Sequence, residues 1–232
     1  MPCLYKFIHT NNNSKFNQFQ YGRMLIIEKL IFKETSVQLI LSNSEKLKIS
    51  YDLYYMYKIS GGMNLSSEQY MEIYDESKKF ECIEKALSRL SVRGYSVDEL
   101  YRSLKKKNFS EKHIKETLKY MKEKGYLNDY NYSMNFVKDK IKSGKYGKNL
   151  IVRDLYKKGI DRNTVKKVIK ESGADFTNDD ELYRLAMKKY ISLKDKDNPF
   201  VKVSNYLLNR GFDYESIHRI LRQIKKGIVN DE

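Results

Sequence analysis

Three copies of one turn constrain this chain more than any other feature. Asn108-Phe109-Ser110, Gly159-Ile160-Asp161 and Gly211-Phe212-Asp213 recur at spacings of 51 and 52 residues. Apolar positions stay in register around them. Before the turn stand Leu100, Ile151 and Val203, then Leu104, Leu155 and Leu207. After it stand Ile114, Val165 and Ile217, then Leu118, Ile169 and Leu221. Each pair is four residues apart, which places its members on one helix face. Ser110, Asp161 and Asp213 sit where the helix after the turn needs an N-cap. Ser96, Gly147 and Pro199 stand where the helix before the turn starts, and Ser96 with Glu99 makes a capping box. Each repeat therefore reads as three helices, and neighbouring repeats bury a shared core. The expected fold is mainly α: three tandem three-helix repeats forming an elongated array.

The stretch from Gly125 to Ile160 shows the punctuation most fully. Gly125, Gly144 and Gly159 each follow a lysine-rich last turn, as left-handed C-terminal caps do. Between them the spacing predicts a helix over 130–143, a basic turn Gly144-Lys145-Tyr146-Gly147, and a helix over 149–158. Phe136, Val137 and Ile141 supply the apolar face of the first helix; Ile151 and Leu155 supply that of the second.

The N-terminal part has a different pattern. Residues 1–23 are polar and aperiodic around Asn11-Asn12-Asn13-Ser14, which predicts disorder, with organised sequence beginning at Met24. Leu25-Ile26-Ile27, Val37 to Leu41 and Leu47-Lys48-Ile49 are short β-prone runs separated by turn residues. They predict a small antiparallel hairpin or three-stranded sheet, which needs something to lean on. A short helix is expected over Leu53 to Ile59, stopped by Gly61-Gly62, and Ser66 or Ser67 is the candidate cap of a long helix running towards Leu90. The expected organisation is 1–23 as a disordered extension, 24–66 as a β-rich module, 67–128 as a linking helix and first repeat, 129–176 as the second repeat and 177–232 as the third.

Charge is uneven along the 232 residues. The net charge is +15, built from thirty-five lysines and only ten arginines, and +13 of it lies in residues 79–172. A localised positive field suits a polyanionic or acidic partner. Lys138, Lys142 and Lys145 are spaced as one stripe, and Asn149, Arg153 and Lys157 as another. Phosphates and an acidic protein face would each suit them. Tyr126, Tyr130, Tyr132 and Tyr146 crowd the same turns; Tyr126 and Tyr132 are expected to pack between repeats.

Other chemistries find no support in the pattern. Cys3 and Cys82 make no disulfide framework or zinc spacing, and Cys82 reads as a small buried hydrophobe. His9, His113 and His218 lack ligand partners at metal spacing and read as surface or helix-face residues. Gly144-Lys145-Tyr146-Gly147 is not a phosphate-binding Walker loop. Carboxylates are not paired for acid–base or two-metal work. No apolar run nears the ~20 residues of a membrane span, and Met1 to Thr10 lacks a signal-peptide core. The expectation is a cytoplasmic, non-enzymatic protein without cofactors.

With these residues in place, the chain resembles the RecX regulators of the RecA recombinase. The resemblance rests on Ala86-Leu87-Ser88-Arg89-Leu90 with Tyr95-Ser96-Val97-Asp98-Glu99-Leu100, on Gly125-Tyr126-Leu127-Asn128-Asp129, and best on Gly144 to Gly147 with Leu155-Tyr156-Lys157-Lys158-Gly159-Ile160. Leu207 to Ile220 is similar to the family's last repeat, so residues 79–226 are covered. Ser91-Val92-Arg93-Gly94-Tyr95-Ser96 has fewer arginines than that family often shows. The resemblance implies a monomer, involved in DNA repair, recombination and the SOS response. It would bind the RecA–single-stranded DNA filament, touch the DNA directly or through the filament, and modulate the recombinase, usually as an inhibitor. The candidate filament- and DNA-binding residues are Arg89, Arg93, Lys138, Lys142, Lys145, Lys148, Arg153 and Lys157. The alternative is a helical protein that binds DNA without RecA, because paired helices joined by short turns recur.

The register makes a direct prediction. Leu155 occupies the same core position as Leu104 and Leu207, and Leu155→Ala is expected to cost about 2–5 kcal/mol. Unchanged stability in urea denaturation would show that the register is misaligned.

Overall fold

Burial alternates with period two along the first strands, and this sets the architecture of the N-terminal part. The computed structural model describes residues 24–173, 176 and 178–230; the stretch 1–23, expected to be disordered, lies outside them. β1 (Leu25–Phe32), β2 (Val37–Leu41), β3 (Lys46–Ile49) and β4 (Asn64–Leu65) form one antiparallel sheet in the order β3-β2-β1-β4. Leu25, Ile27, Val37, Leu39, Leu41, Leu47 and Ile49 all point to the buried face. The register slips between Ile27 and Lys29 of β1, a bulge that follows the buried pair of that strand. The sheet thus has one strand more than its sequence showed. β4 is two residues long, too short to display any alternation, and it is recruited by pairing Leu25 with Leu65.

The support that such a sheet requires is α2 (Ser67–Leu90), which follows the short α1 (Tyr51–Met56). Ser66 is the cap of α2: its hydroxyl accepts the Gln69 N–H at 3.2 Å, and the Gln69 side chain accepts the Ser66 N–H at 3.0 Å. Tyr70 and Ile73, one helical turn apart, close the sheet core with Leu53, Ile59 and Leu65. Farther along α2, the Ser77 hydroxyl accepts the Lys48 N–H, and Glu84 pairs with the Lys48 ammonium at 2.6 Å.

Two compact units emerge. The first runs through Leu87 and includes Phe109–Thr117; the second comprises Ser88–Asn108 and the chain from Leu118 onward. In the first unit His113 is buried, with Nε2 2.8 Å from a carboxylate oxygen of Asp75, whose other oxygen binds Lys112 at 2.6 Å. Of the two expected places, surface or helix face, His113 takes the helix face, and that face is buried; residue spacing cannot reveal a carboxylate 38 positions away. Burial opposes the charge of Asp75, but the bonds from Lys112 and His113 outweigh it and lower its pKa. Cys82 is buried as expected, and burial raises the pKa of its thiol.

The helices of the three repeats follow their predicted punctuation. α3 (Val97–Lys105) and α4 (Glu111–Glu123) complete the first repeat. The second is α5 (Asp129–Lys142), α6 (Lys148–Lys157) and α7 (Arg162–Glu171). The third is α8 (Asp179–Ile191), α9 (Pro199–Asn209) and α10 (Tyr214–Asn230). Leu100, Ile151 and Val203 are fully buried, as are Leu104, Leu155 and Leu207. Ile169 and Leu221 are only half-buried, so the last position of the register loosens after the first repeat. Ser110, Asp161 and Asp213 all accept backbone N–H bonds at the helix starts expected of them. Pro199 starts α9 as its first residue, after the cap position Asn198.

Within the second unit one contact recurs at both repeat junctions. The start of α3 meets the turn after α6, where the Ser96 hydroxyl donates to the Lys158 carbonyl at 2.5 Å. The start of α6 meets the turn after α9, where the Gly147 N–H donates to the Arg210 carbonyl at 2.8 Å and the Asn149 N–H to the Gly211 carbonyl at 3.0 Å. The approach is close enough to dictate glycine. A Cβ on Gly159 would run into Asp98, and one on Gly211 into the backbone of Leu150. The equivalent residue of the first repeat, with no repeat before it, is Asn108 at φ 60°.

This predicts unequal costs for two similar substitutions. Gly211 and Gly173 have φ values of 83° and 58°, but only Gly211 has neighbours within reach of a Cβ. Gly211→Ala is expected to cost about 2 kcal/mol more than Gly173→Ala. Equal shifts in thermal denaturation would mean that the junction has slack.

Candidate functional site

The junction that seals the second repeat also displays its cations. Lys138 and Lys142 lie on α5, Lys145 in the turn beyond it, and Lys148, Arg153 and Lys157 on α6. Helix α5 ends at Lys142, so Lys145 extends the row from the loop rather than from the helix. That loop is held by the third repeat: Arg210 donates to the Lys145 carbonyl at 3.2 Å and accepts from Gly147 on its own carbonyl. All six side chains are exposed, and none engages a carboxylate among the described residues.

The neighbouring cations behave differently. In the second repeat, among the described residues, only Lys158 is ion-paired. Lys140 lies over the rings of Tyr146 and Phe136, and Lys167 over Tyr130. In the first repeat Arg102, Lys112, Lys115 and Lys119 each pair with a carboxylate, and in the third Arg184 and Arg219 do. Carboxylates therefore engage several cations of the first repeat, two of the third and, among the described residues, one of the second.

Two candidate residues stand apart from the row. Arg89 is half-buried, its Nε without a hydrogen-bond partner among the described residues. Arg93 folds onto Tyr95 at 3.6 Å from the ring centre, donates to the Gly94 carbonyl and sits 3.6 Å from Glu99. Tyr126 corrects another expectation. It is 58% exposed rather than packed between repeats, because the turn after Gly125 throws it outward. Tyr132 does pack there, donating to Glu99 at 2.8 Å.

Glu99 is the electrostatic centre of that junction. It takes the Lys158 ammonium at 2.9 Å on one oxygen, and Tyr132 with the Ser96 N–H on the other. Burial disfavours its charge, but the bonds from Lys158, Tyr132 and Ser96 prevail and hold its pKa at about 2. Burial likewise opposes the charge of Lys158, and its bonds to Tyr132 and Glu99 still raise its pKa. Lys158 is thus a structural cation, directly after the exposed Lys157 in the chain. Among the described residues no cluster of His, Cys, Asp and Glu is placed to hold a metal ion, and no helix is long and apolar enough to cross a membrane.

Comparison with known proteins bears on this arrangement directly. The family described as RecX, first three-helix domain, matches residues 82–121, and RecX, second three-helix domain, matches residues 128–169. The regulatory protein RecX of Clostridioides difficile (strain 630) is 28% identical over 205 residues, covering 88% of this chain and 96% of that protein. That of Finegoldia magna is 28% identical, covering 84% and 98%. Over both three-helix domains the chain is similar to the RecX family. A crystal structure of regulatory protein RecX shares the fold with a TM-score of 0.66 at 17% identity, covering 84% of this chain and 98% of that one. RecX from Lactobacillus salivarius does so with 0.54 at 23% identity, covering 64% and 97%. The two RecX domain matches take in Glu99 and Tyr132 and the turn that holds Lys145.

The Glu99 cluster predicts a specific pH response. A carboxylate with a depressed pKa stabilises the fold above its ordinary value of about 4.3, and that contribution fades as pH falls towards 2. Glu99→Gln is expected to lose about 1–3 kcal/mol at neutral pH, where Lys158 is left without its anion. The gap to wild type should close between about pH 4 and 2. Urea denaturation of both proteins across that range checks it; a constant gap would dissociate the loss from Glu99 ionisation.

Proposed function

We propose that this protein regulates the RecA recombinase by docking the basic row of its second repeat onto the RecA–single-stranded DNA filament. It lowers the ATPase and strand-exchange activity of that filament, acting as a cytoplasmic monomer. The observation that supports this most is the uncompensated charge of the second repeat: six of its cations are exposed and lack anionic partners among the described residues, and residues 129–172 carry a net +7 against +1 for residues 173–232. Holding such a row together costs Coulomb energy that only an anionic partner returns. A filament offers DNA phosphates and acidic side chains at repeating intervals. The similarity to proteins named regulatory protein RecX supports the same reading.

Mechanistically, a rigid cationic ridge bridging neighbouring subunits would hinder the motions that accompany ATP hydrolysis and the entry of a second strand. Contacts of this type weaken as salt screens them. Arg89 and Arg93 contribute by shaping the end of the first repeat, since their guanidinium groups are already engaged within it or half-buried.

Charge reversal tests the assignment. Lys145→Glu combined with Lys148→Glu and Arg153→Glu is expected to abolish the effect on RecA ATPase while leaving the helical circular-dichroism signal intact. The same reversals at Lys188, Lys202 and Lys226, which are exposed on the third repeat, should leave most of it. Equal losses would show that charge compensation is a poor guide to the interface. Full activity in the first variant would remove the second repeat from it.

A further inference from the structure

Beside the basic row, inside the second unit, lies a cleft of 370 Å³ between the end of the first repeat and α5. Its walls are aromatic and amide-bearing: Tyr95, Tyr126 and Tyr132 on one hand, Asn131, Asn135 and Asp139 on the other. Tyr132 is committed to Glu99. Tyr126 is 58% exposed and makes no side-chain hydrogen bond among the described residues. The side chains of Asn131, Asn135 and Asp139 are exposed and form no hydrogen bond or ion pair among the described residues.

The corresponding place one repeat later is closed. There the space between Gly144, Tyr146 and α8 is only 70 Å³, with Glu181 and Phe176 among its walls. Glu181 is the third residue of α8, as Asn131 is of α5, and it packs against Gly144. Two junctions built on one plan thus differ at the point where one is plugged and the other open. The open one continues into the cations. Asn131, Asn135, Lys138 and Lys142 are spaced four, three and four residues apart, so the two amides and two lysines share one face of α5.

We propose that this cleft receives one unstacked nucleobase of a single strand. The base bears an exocyclic amino group, as adenine and cytosine do. Tyr126 stacks on its face, the Asn131 and Asn135 amides and the Asp139 carboxylate bind its edge, and Lys138 and Lys142 hold the adjoining phosphates. An amide side chain pairs its donor and acceptor with adenine N7 and N6, and a carboxylate accepts from cytosine N4. Thymine offers carbonyl oxygens instead, which would face Asp139 unpaired. An aromatic ring serves any base, and phosphate contacts serve any sequence, so discrimination falls to the amides and the carboxylate. The inference rests on the reading that single-stranded DNA in the filament is the partner.

Fluorescence anisotropy of the full chain with labelled oligo-dA, oligo-dC and oligo-dT tests it. Wild type is expected to bind dA and dC about tenfold more tightly than dT. Tyr126→Ala should weaken all three about tenfold. Asn131→Ala with Asn135→Ala and Asp139→Ala should abolish the preference and leave dT binding unchanged. Lys138→Glu with Lys142→Glu should weaken all three and flatten the salt dependence. All these side chains are exposed, so the fold should persist, and circular dichroism verifies it. Absence of binding, absence of base preference, or wild-type binding by Tyr126→Ala overturns the proposal; the last is what a peptide-binding cleft would give. RecA ATPase measured with the same variants separates the two readings. Inhibition that survives all the cleft variants and is lost on reversing Lys145, Lys148 and Arg153 would dismiss the base site alone. A base preference in a protein without effect on RecA would dismiss the filament reading and keep the cleft.

Discussion

The starts of α3 and α6 press onto the turn of the repeat that follows, and the second unit depends on that contact. At one junction a serine hydroxyl reaches the Lys158 carbonyl; at the other the Gly147 backbone itself reaches Arg210. These bonds satisfy groups that helix ends and turns otherwise leave to water. They also demand glycine at Gly159 and Gly211, where both a left-handed backbone and the neighbouring chain exclude a side chain. Repeat proteins gain stability from such interfaces, because one three-helix unit has too little apolar surface to stand alone.

The same contact organises the charge. Docking brings Glu99, Tyr132 and Lys158 together, and the resulting cluster consumes a carboxylate of the first repeat and one lysine of the second. Arg210 pins the loop that holds Lys145. What remains on the second repeat is a set of exposed cations on fixed backbone. A surface of this kind is preorganised: little of the binding energy is spent on ordering the main chain, though each long side chain still loses rotamer freedom on contact. The open cleft next to it arises from the same plan, since the residue that closes the second junction, Glu181, is an asparagine in the first.

The N-terminal unit solves a different problem. A four-stranded sheet with one apolar face is marginal until covered, and α2 covers it with Tyr70 and Ile73 while Ser77 and Glu84 tie the edge strand through Lys48. The helix that does this also begins the first repeat. Within the first unit, Phe109–Thr117 is secured by His113 and Lys112 on Asp75, a set of charge-assisted bonds around a half-buried carboxylate.

Local chemistry determined much of this protein. Caps at Ser96, Ser110, Asp161 and Asp213, and the repeating register of Leu104, Leu155 and Leu207, are readable because helices obey short-range periodicity and capping rules. The existence of the basic segment was legible for the same reason, as charge is a property of composition. Tertiary structure alone decided which cations are free. Lys158 and Lys157 are adjacent in the chain, yet one is locked to Glu99, 59 positions away, and the other is exposed. It also decided that β4 joins the sheet, that His113 is buried, and that Tyr126 faces outward over an open cleft. Each of these depends on which distant group arrives beside the residue, and periodicity along one chain holds no record of that.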